Sequence, residues 1–198
     1  MPGHDEILHY LTGVWLLVRR KPEGLRYFDF SDRGVIRSFW ALGLSLPFLF
    51  VTWIWARDIY LNALPDRPDP GFLLYFRFFM IDMITWFTPL LILIGFSILT
   101  RLEAFFAATV VTTNWLAFAI SIFVADIALL EILFPGATQV WALLWLVQFT
   151  GSLICSYCLI ATVYKGQSLI ATAVTGIMII PGLLMATSLQ SFLGIISP

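Results

Sequence analysis

Apolar residues in this chain fall into long continuous blocks separated by short polar interruptions. Five blocks are long enough for a helix to cross a hydrocarbon core of about 30 Å, which takes about 20 mainly apolar residues. They run over Ser38–Ala56, Phe78–Leu99, Ala104–Ala125 (or on to Phe134), Val140–Tyr164 and Ser168–Leu189. Only helices and closed barrels satisfy their backbone groups in lipid, and unbroken runs of this length predict helices. The expected fold class is an all-α membrane protein: a bundle of five transmembrane helices preceded by an N-terminal amphipathic interfacial helix. Thr100–Glu103, Pro135–Gln139 and Lys165–Gln167 read as tight turns, so spans two to five should run up and down. The Arg57–Gly71 connection carries Pro65, Pro68 and Pro70 and reads as extended, irregular backbone.

The N-terminal segment follows a different pattern. Within Asp5–Arg20, residues Ile7, Leu8, Leu11, Val14, Trp15 and Val18 recur at the spacing of one helical face. The preferred expectation is a helix lying in the membrane interface, and the alternative is a helix packed against the bundle. Its apolar stretch Val14–Val18 is too short for the apolar region of a signal peptide, so it is expected to stay on the chain. Pro22 ends the helix, Tyr27, Phe28 and Phe30 can anchor the connector, and Ser31 or Asp29 can cap the first span. Residues 1–34 are thus expected as a cytosolic or interfacial segment, and residues 35–198 as the five-span domain.

Composition strengthens the membrane reading. The chain is 60% apolar and 12% charged, with a mean hydropathy of +0.93. Soluble domains are about 45–50% apolar and about 25% charged, so an ordinary soluble enzyme and a disordered chain are both excluded. A net charge of −1 leaves no basic footprint for nucleic acid. Of the 23 charged residues (11 basic and 12 acidic), 11 lie in Met1–Arg37 and six in Arg57–Arg77, which leaves six for everything else. With the N-terminus inside, eight Lys and Arg fall on the inner side and Arg57, Arg67 and Arg77 on the outer. That asymmetry predicts a cytoplasmic N-terminus and a C-terminus on the opposite side. Two cysteines and a retained N-terminus favour a bacterial inner membrane.

The scattered charges inside the spans are the candidate chemistry. An ionisable side chain at the bilayer centre costs about 2.5–3.5 kcal/mol on insertion scales and marks a functional site by default. Asp82 and Asp126 could face each other between spans two and three, with Glu131 one turn further out and Arg77 or Arg57 as counter-charge. They would form an acidic outer vestibule for a cation or a proton. The plainer alternative is that both acids sit near the interface in structural pairs. Trp15, Arg19, Arg20, Lys21 and Arg26 are candidates for lipid headgroup or partner docking, at about 1 kcal/mol per cation close to an anionic surface.

Other motifs carry less. Cys155-Ser-Tyr-Cys158 falls inside an apolar span with no basic neighbour in sequence, and apolar burial quiets a thiol. His4 and His9 lie outside the spans, so an intramembrane haem held by two His of this chain is excluded. Two thiols with no local His make half a zinc shell, so no metal site is expected. No Ser-His-Asp set or phosphate loop is present, so no catalytic residue and no cofactor are expected. Pro47, Pro89 and Pro181 interrupt three spans, where kinks can line a cavity.

Over Gly34–Ser197 this layout resembles the Yip-type domain family: a soluble N-terminal segment, then five closely spaced spans joined by turns such as Thr100–Glu103 and Pro135–Gln139. The resemblance implies a non-enzymatic role. Eukaryotic members are membrane-traffic factors that bind small GTPases, which would make Lys21 to Arg37 the partner-binding region. The first functional expectation is an accessory, scaffold or assembly subunit. The second is a small transporter or channel subunit moving a proton, cation or small solute through Asp82 and Asp126. A membrane thiol or lipid-modifying enzyme comes third. Expected partners are membrane lipids, including anionic headgroups, and another membrane protein or a second copy of the chain.

Overall fold

The computed structural model describes residues 2–63 and 71–195, and every regular element among them is helical. Helix α1 (His4–Val18) is followed by a 3-10 helix (Pro22–Tyr27) and by α2 (Asp32–Ser38), which leads directly into α3 (Trp40–Ala63). Then come α4 (Phe72–Thr100), α5 (Glu103–Leu133), α6 (Thr138–Val163) and α7 (Ser168–Phe192). Five of these are long and apolar enough to cross a membrane, α2 and α3 together making the first. Large side chains such as Leu91, Leu99, Leu143 and Leu184 stand exposed on them, as expected of surfaces made for hydrocarbon.

The helices extend past the charges that were expected to bound them. α3 continues through Arg57 and Asp58 to Ala63, and α4 already contains Arg77. Long charged side chains can reach sideways to a polar boundary without unwinding the backbone, so a charge beside an apolar run need not end the helix. The third span takes its longer form and ends at Leu133. The prolines of the Arg57–Gly71 connection, and Arg67 with them, lie outside the described residues.

α5 is the centre of the bundle. Val110, Val111, Trp115, Leu116 and Phe118 are buried along it, with α3, α4 and α6 packed around it. α4 packs chiefly on α7, and α6 bridges α5 and α7. The contact of α4 with α3 and α5 is much thinner. Gly182 of α7 lies at the α4–α7 contact, where an added Cβ would make ordinary contacts, 3.5 Å from the Thr85 carbonyl oxygen and 3.8 Å from Pro89.

The N-terminal segment is built into this bundle. α1 lies against α5 and α6, with Val14 and Leu17 buried. The Tyr10 ring is sandwiched between Phe28, at 5.8 Å, and Trp115, at 4.4 Å. Thr162 of α6 places its hydroxyl 3.0 Å from the Leu17 carbonyl. Tyr10 also donates to Glu6 at 2.8 Å, and the same carboxylate oxygen receives Arg37 at 2.6 Å. Burial, helped by Glu6, pushes the Tyr10 phenol up to about 12. The alternative of a helix packed against the bundle is therefore what the structure shows. The outward edge still presents Leu8 and Trp15.

Ser31 caps α2 by accepting from the Gly34 N–H at 3.2 Å, while Asp29 accepts the Ser31 N–H at 2.9 Å. These Ser31 bonds, backbone first and then hydroxyl, hold the exposed Asp29 carboxyl below the usual carboxylate range. A depressed acid supports the fold above its unfolded value, about 3.9, and that support is lost as pH falls through the lower folded value. Carboxyl NMR in detergent should therefore show Asp29 titrating below about 3.9. A midpoint at or above that value would contradict the turn geometry.

Candidate functional site: a pocket between α3, α4, α5 and α7

Two short polar chains meet where α4 stands off from α3 and α5. In the first, the Trp53 indole N–H of α3 donates to Asp82 of α4 at 2.6 Å. In the second, the Trp86 indole of α4 donates to the Asn114 carbonyl oxygen of α5 at 3.2 Å. The Asn114 amide then donates to the Ser38 hydroxyl at 2.9 Å, and Ser38 donates to the Val35 carbonyl at 2.7 Å. Asn114 and Ser38 are both buried, and polar groups in an apolar medium need such partners.

Between these chains lies a mainly apolar pocket of about 240 Å³, walled by Leu49, Trp86, Pro89, Leu90, Ala117 and Met178, with Asp82, Thr85, Thr113 and Asn114 as its polar members. At about 30 Å³ per molecule it has room for roughly eight waters or one small solute. Pro89 has no N–H to give the Thr85 carbonyl, so α4 carries an extra free acceptor beside the pocket. Asp82 is ten residues into α4, about 15 Å along the axis. Among the described residues no Lys or Arg makes an ion pair with it.

The structure does not gather the expected acidic vestibule. The Trp86–Asn114 bond fixes the register of α4 on α5. Asp82 is one turn outward of Trp86, whereas Asp126 is twelve residues outward of Asn114. The two acids are therefore about 12 Å apart in height. Asp126 is exposed, and Glu131 accepts the Trp145 indole N–H at 2.8 Å. Arg77 donates to the Leu193 carbonyl at 3.0 Å, tying the start of α4 to the end of α7. Each of the last two thus has its own structural partner, and Asp82 is the one of the four that lines this pocket.

Of the docking candidates, Trp15, Arg19, Arg20, Lys21 and Arg26 are all exposed. Arg19 lies 5.5 Å from the Trp15 ring and Arg20 5.4 Å from the Tyr157 ring of α6. Cys155 and Cys158 are free and half-buried. No group of three His, Cys, Asp or Glu side chains comes together among the described residues. Sequence reasoning missed Trp53, Trp86 and Ser38 as parts of the site. An indole in an apolar span looks like any other apolar residue until its N–H is seen to face an acceptor.

Comparison with family models, with curated proteins and with solved structures finds no match to any of them.

Proposed function

We propose that this chain is an integral protein of a bacterial inner membrane, its N-terminus cytoplasmic, that binds a small cationic or protonatable solute at Asp82. The observation that carries the proposal is the pocket itself. A carboxylate five residues past Arg77 in a spanning-length helix, about 7 Å along its axis, held by one indole and without an ion-pair partner among the described residues, faces a space that can hold water or a ligand. Such a carboxylate is costly in lipid, and a cation in the pocket would offset that cost. Thr85, Thr113 and Asn114 supply neutral oxygens at its wall. α4 runs unbroken through Pro89 beside the pocket, where the proline frees one backbone acceptor.

The test is flux in proteoliposomes holding the purified chain, with proton, sodium, potassium and methylammonium gradients supplied in turn. One of these should be dissipated by the wild type, and Asp82→Asn should slow it at least tenfold. Asp126→Asn should leave it within a factor of about two, because that side chain lies on another level. Equal flux for wild type and Asp82→Asn, or none for any gradient, would remove the proposal.

A second reading, the accessory or scaffold subunit that the Yip-type layout implies, is favoured by a different observation. The docked N-terminal segment leaves Trp15 and its basic side chains outward. Its test must spare the core. Deleting residues 1–34 would remove buried Val14, Leu17 and Phe28, so loss of a co-purifying partner has to be sought with Trp15→Ala, Arg19→Gln and Arg26→Gln.

A further inference from the structure

Among the described residues three that are not glycine adopt the left-handed backbone conformation, and all three are basic: Arg20 (φ 61), Arg101 (φ 58) and Lys165 (φ 54). Each follows the end of a helix: α1, α4 or α6. Each is closed by the same reverse bond, Lys21 N–H to Leu16 O at 2.9 Å, Leu102 N–H to Ser97 O at 2.9 Å and Gly166 N–H to Ala161 O at 2.7 Å. Glycine is the ordinary occupant of this position, and at the other end of the bundle α7 does use glycine, Gly194 (φ 68). Geometry alone therefore does not call for a cation at these three ends. Cations there face the carbonyl ends of three helices and can also face something anionic outside.

Two of the three share a space. Arg20 and Lys165 flank a pocket of about 520 Å³ whose other walls include Pro22, Leu25, Ala161 and Thr162. Both side chains rest on aromatic rings, Arg20 on Tyr157 and Lys165 on Phe105, 5.8 Å away. Neither has a carboxylate partner among the described residues. Thr162 is engaged inward, with Leu17 and Cys158. The site therefore offers two held positive charges above a largely apolar wall.

We infer that this pocket binds the phosphate of an anionic phospholipid, Arg20 and Lys165 holding the headgroup while Pro22, Leu25 and Ala161 face its apolar part. Lipid fits better than free phosphate because the pocket sits where α6 ends and α7 begins. There the chain passes from apolar helix to polar turn, and Leu169 stands fully open to the surroundings just beyond. The inference shares the membrane embedding proposed above but does not depend on the Asp82 pocket.

Native mass spectrometry of the full chain in mild detergent tests it, with short-chain phosphatidylglycerol, short-chain phosphatidylcholine and inorganic phosphate as separate probes. The wild type should retain phosphatidylglycerol at least tenfold more tightly than phosphatidylcholine. Arg20→Gln with Lys165→Gln should abolish that preference, whereas Arg101→Gln should keep it. The pair Arg20→Gly and Lys165→Gly serves as the folding control. It suits the left-handed backbone, so it should melt no lower than the wild type and still lose the lipid. Three results would overturn the inference: an undiminished preference in the double variants, equal retention of phosphatidylcholine, or inorganic phosphate binding as tightly as the lipid. A chain that stays monodisperse in buffer without detergent would overturn the membrane embedding itself.

Discussion

Trp115→Ala should release the N-terminal segment from the bundle and lower stability by about 3 kcal/mol. Trp115 is fully buried, with Tyr10 stacked on one side and Phe118 edge-on at 6.0 Å. Between membrane helices the usual gain from leaving water is missing, because lipid is as apolar as the protein interior. The cost is therefore mainly the void. Removing the indole empties on the order of 140 Å³, and cavities cost about 24 cal/mol per Å³. The freed segment carries Arg19, Arg20, Arg26 and Arg33, so trypsin acting on detergent-solubilised protein reads the release directly. Wild type should resist cleavage there, Trp115→Ala should be cut roughly a hundredfold faster, and Trp115→Phe should fall between. Equal cleavage of wild type and Trp115→Ala would show that the segment does not depend on this stack.

Gly24→Ala attacks the same docking from the other side. A Cβ at Gly24 would lie 2.7 Å from the Gly13 carbonyl oxygen, 2.9 Å from Leu17 and 3.0 Å from Leu16. The nearest of these is backbone, which cannot swing aside. Gly13 is equally tight, its added Cβ meeting the Phe28 ring at 2.6 Å. The two glycines let the 3-10 helix lie directly on α1. Overpacking of this kind costs about 1–3 kcal/mol, and here the strain falls on the contact that holds Leu17 in the core. The expected result is a lower melting temperature and faster trypsin cleavage for Gly24→Ala, with Gly13→Ala close behind. Gly95→Ala, where an added Cβ meets nothing within 4 Å, should change neither.

The five long apolar helices are legible from the sequence because a long apolar run has few other ways to satisfy its backbone. Their ends are less legible. Arg57, Asp58 and Arg77 look like boundaries, yet the helix passes through them, since a charged side chain can reach water from inside a helical turn. The N-terminal segment is legible as an amphipathic helix, but its partner is not. Val14 and Leu17 would present the same stripe to a lipid surface as to α5 and α6. Gly13 and Gly24 give no local hint that they touch.

The candidate site divides along the same line. Asp82 is conspicuous as an acid within an apolar run. Its indole partner, and its separation in height from Asp126, depend on how far α4 is slid along α3 and α5. No pattern within one helix records that register. It is set by pairings such as Trp86 with Asn114, whose members are 28 residues apart.

The contact between Leu17 and Thr162 spans 145 residues of chain, and that distance imposes an order on biosynthesis. Synthesis proceeds at about 5–20 residues per second, so α1 emerges roughly 7–30 s before the helix it finally rests on. Throughout that interval its apolar stripe needs a temporary cover, and the nearest one is the bilayer surface. The nascent segment should therefore dwell there as a surface-bound helix, then transfer to the bundle once α6 has been inserted.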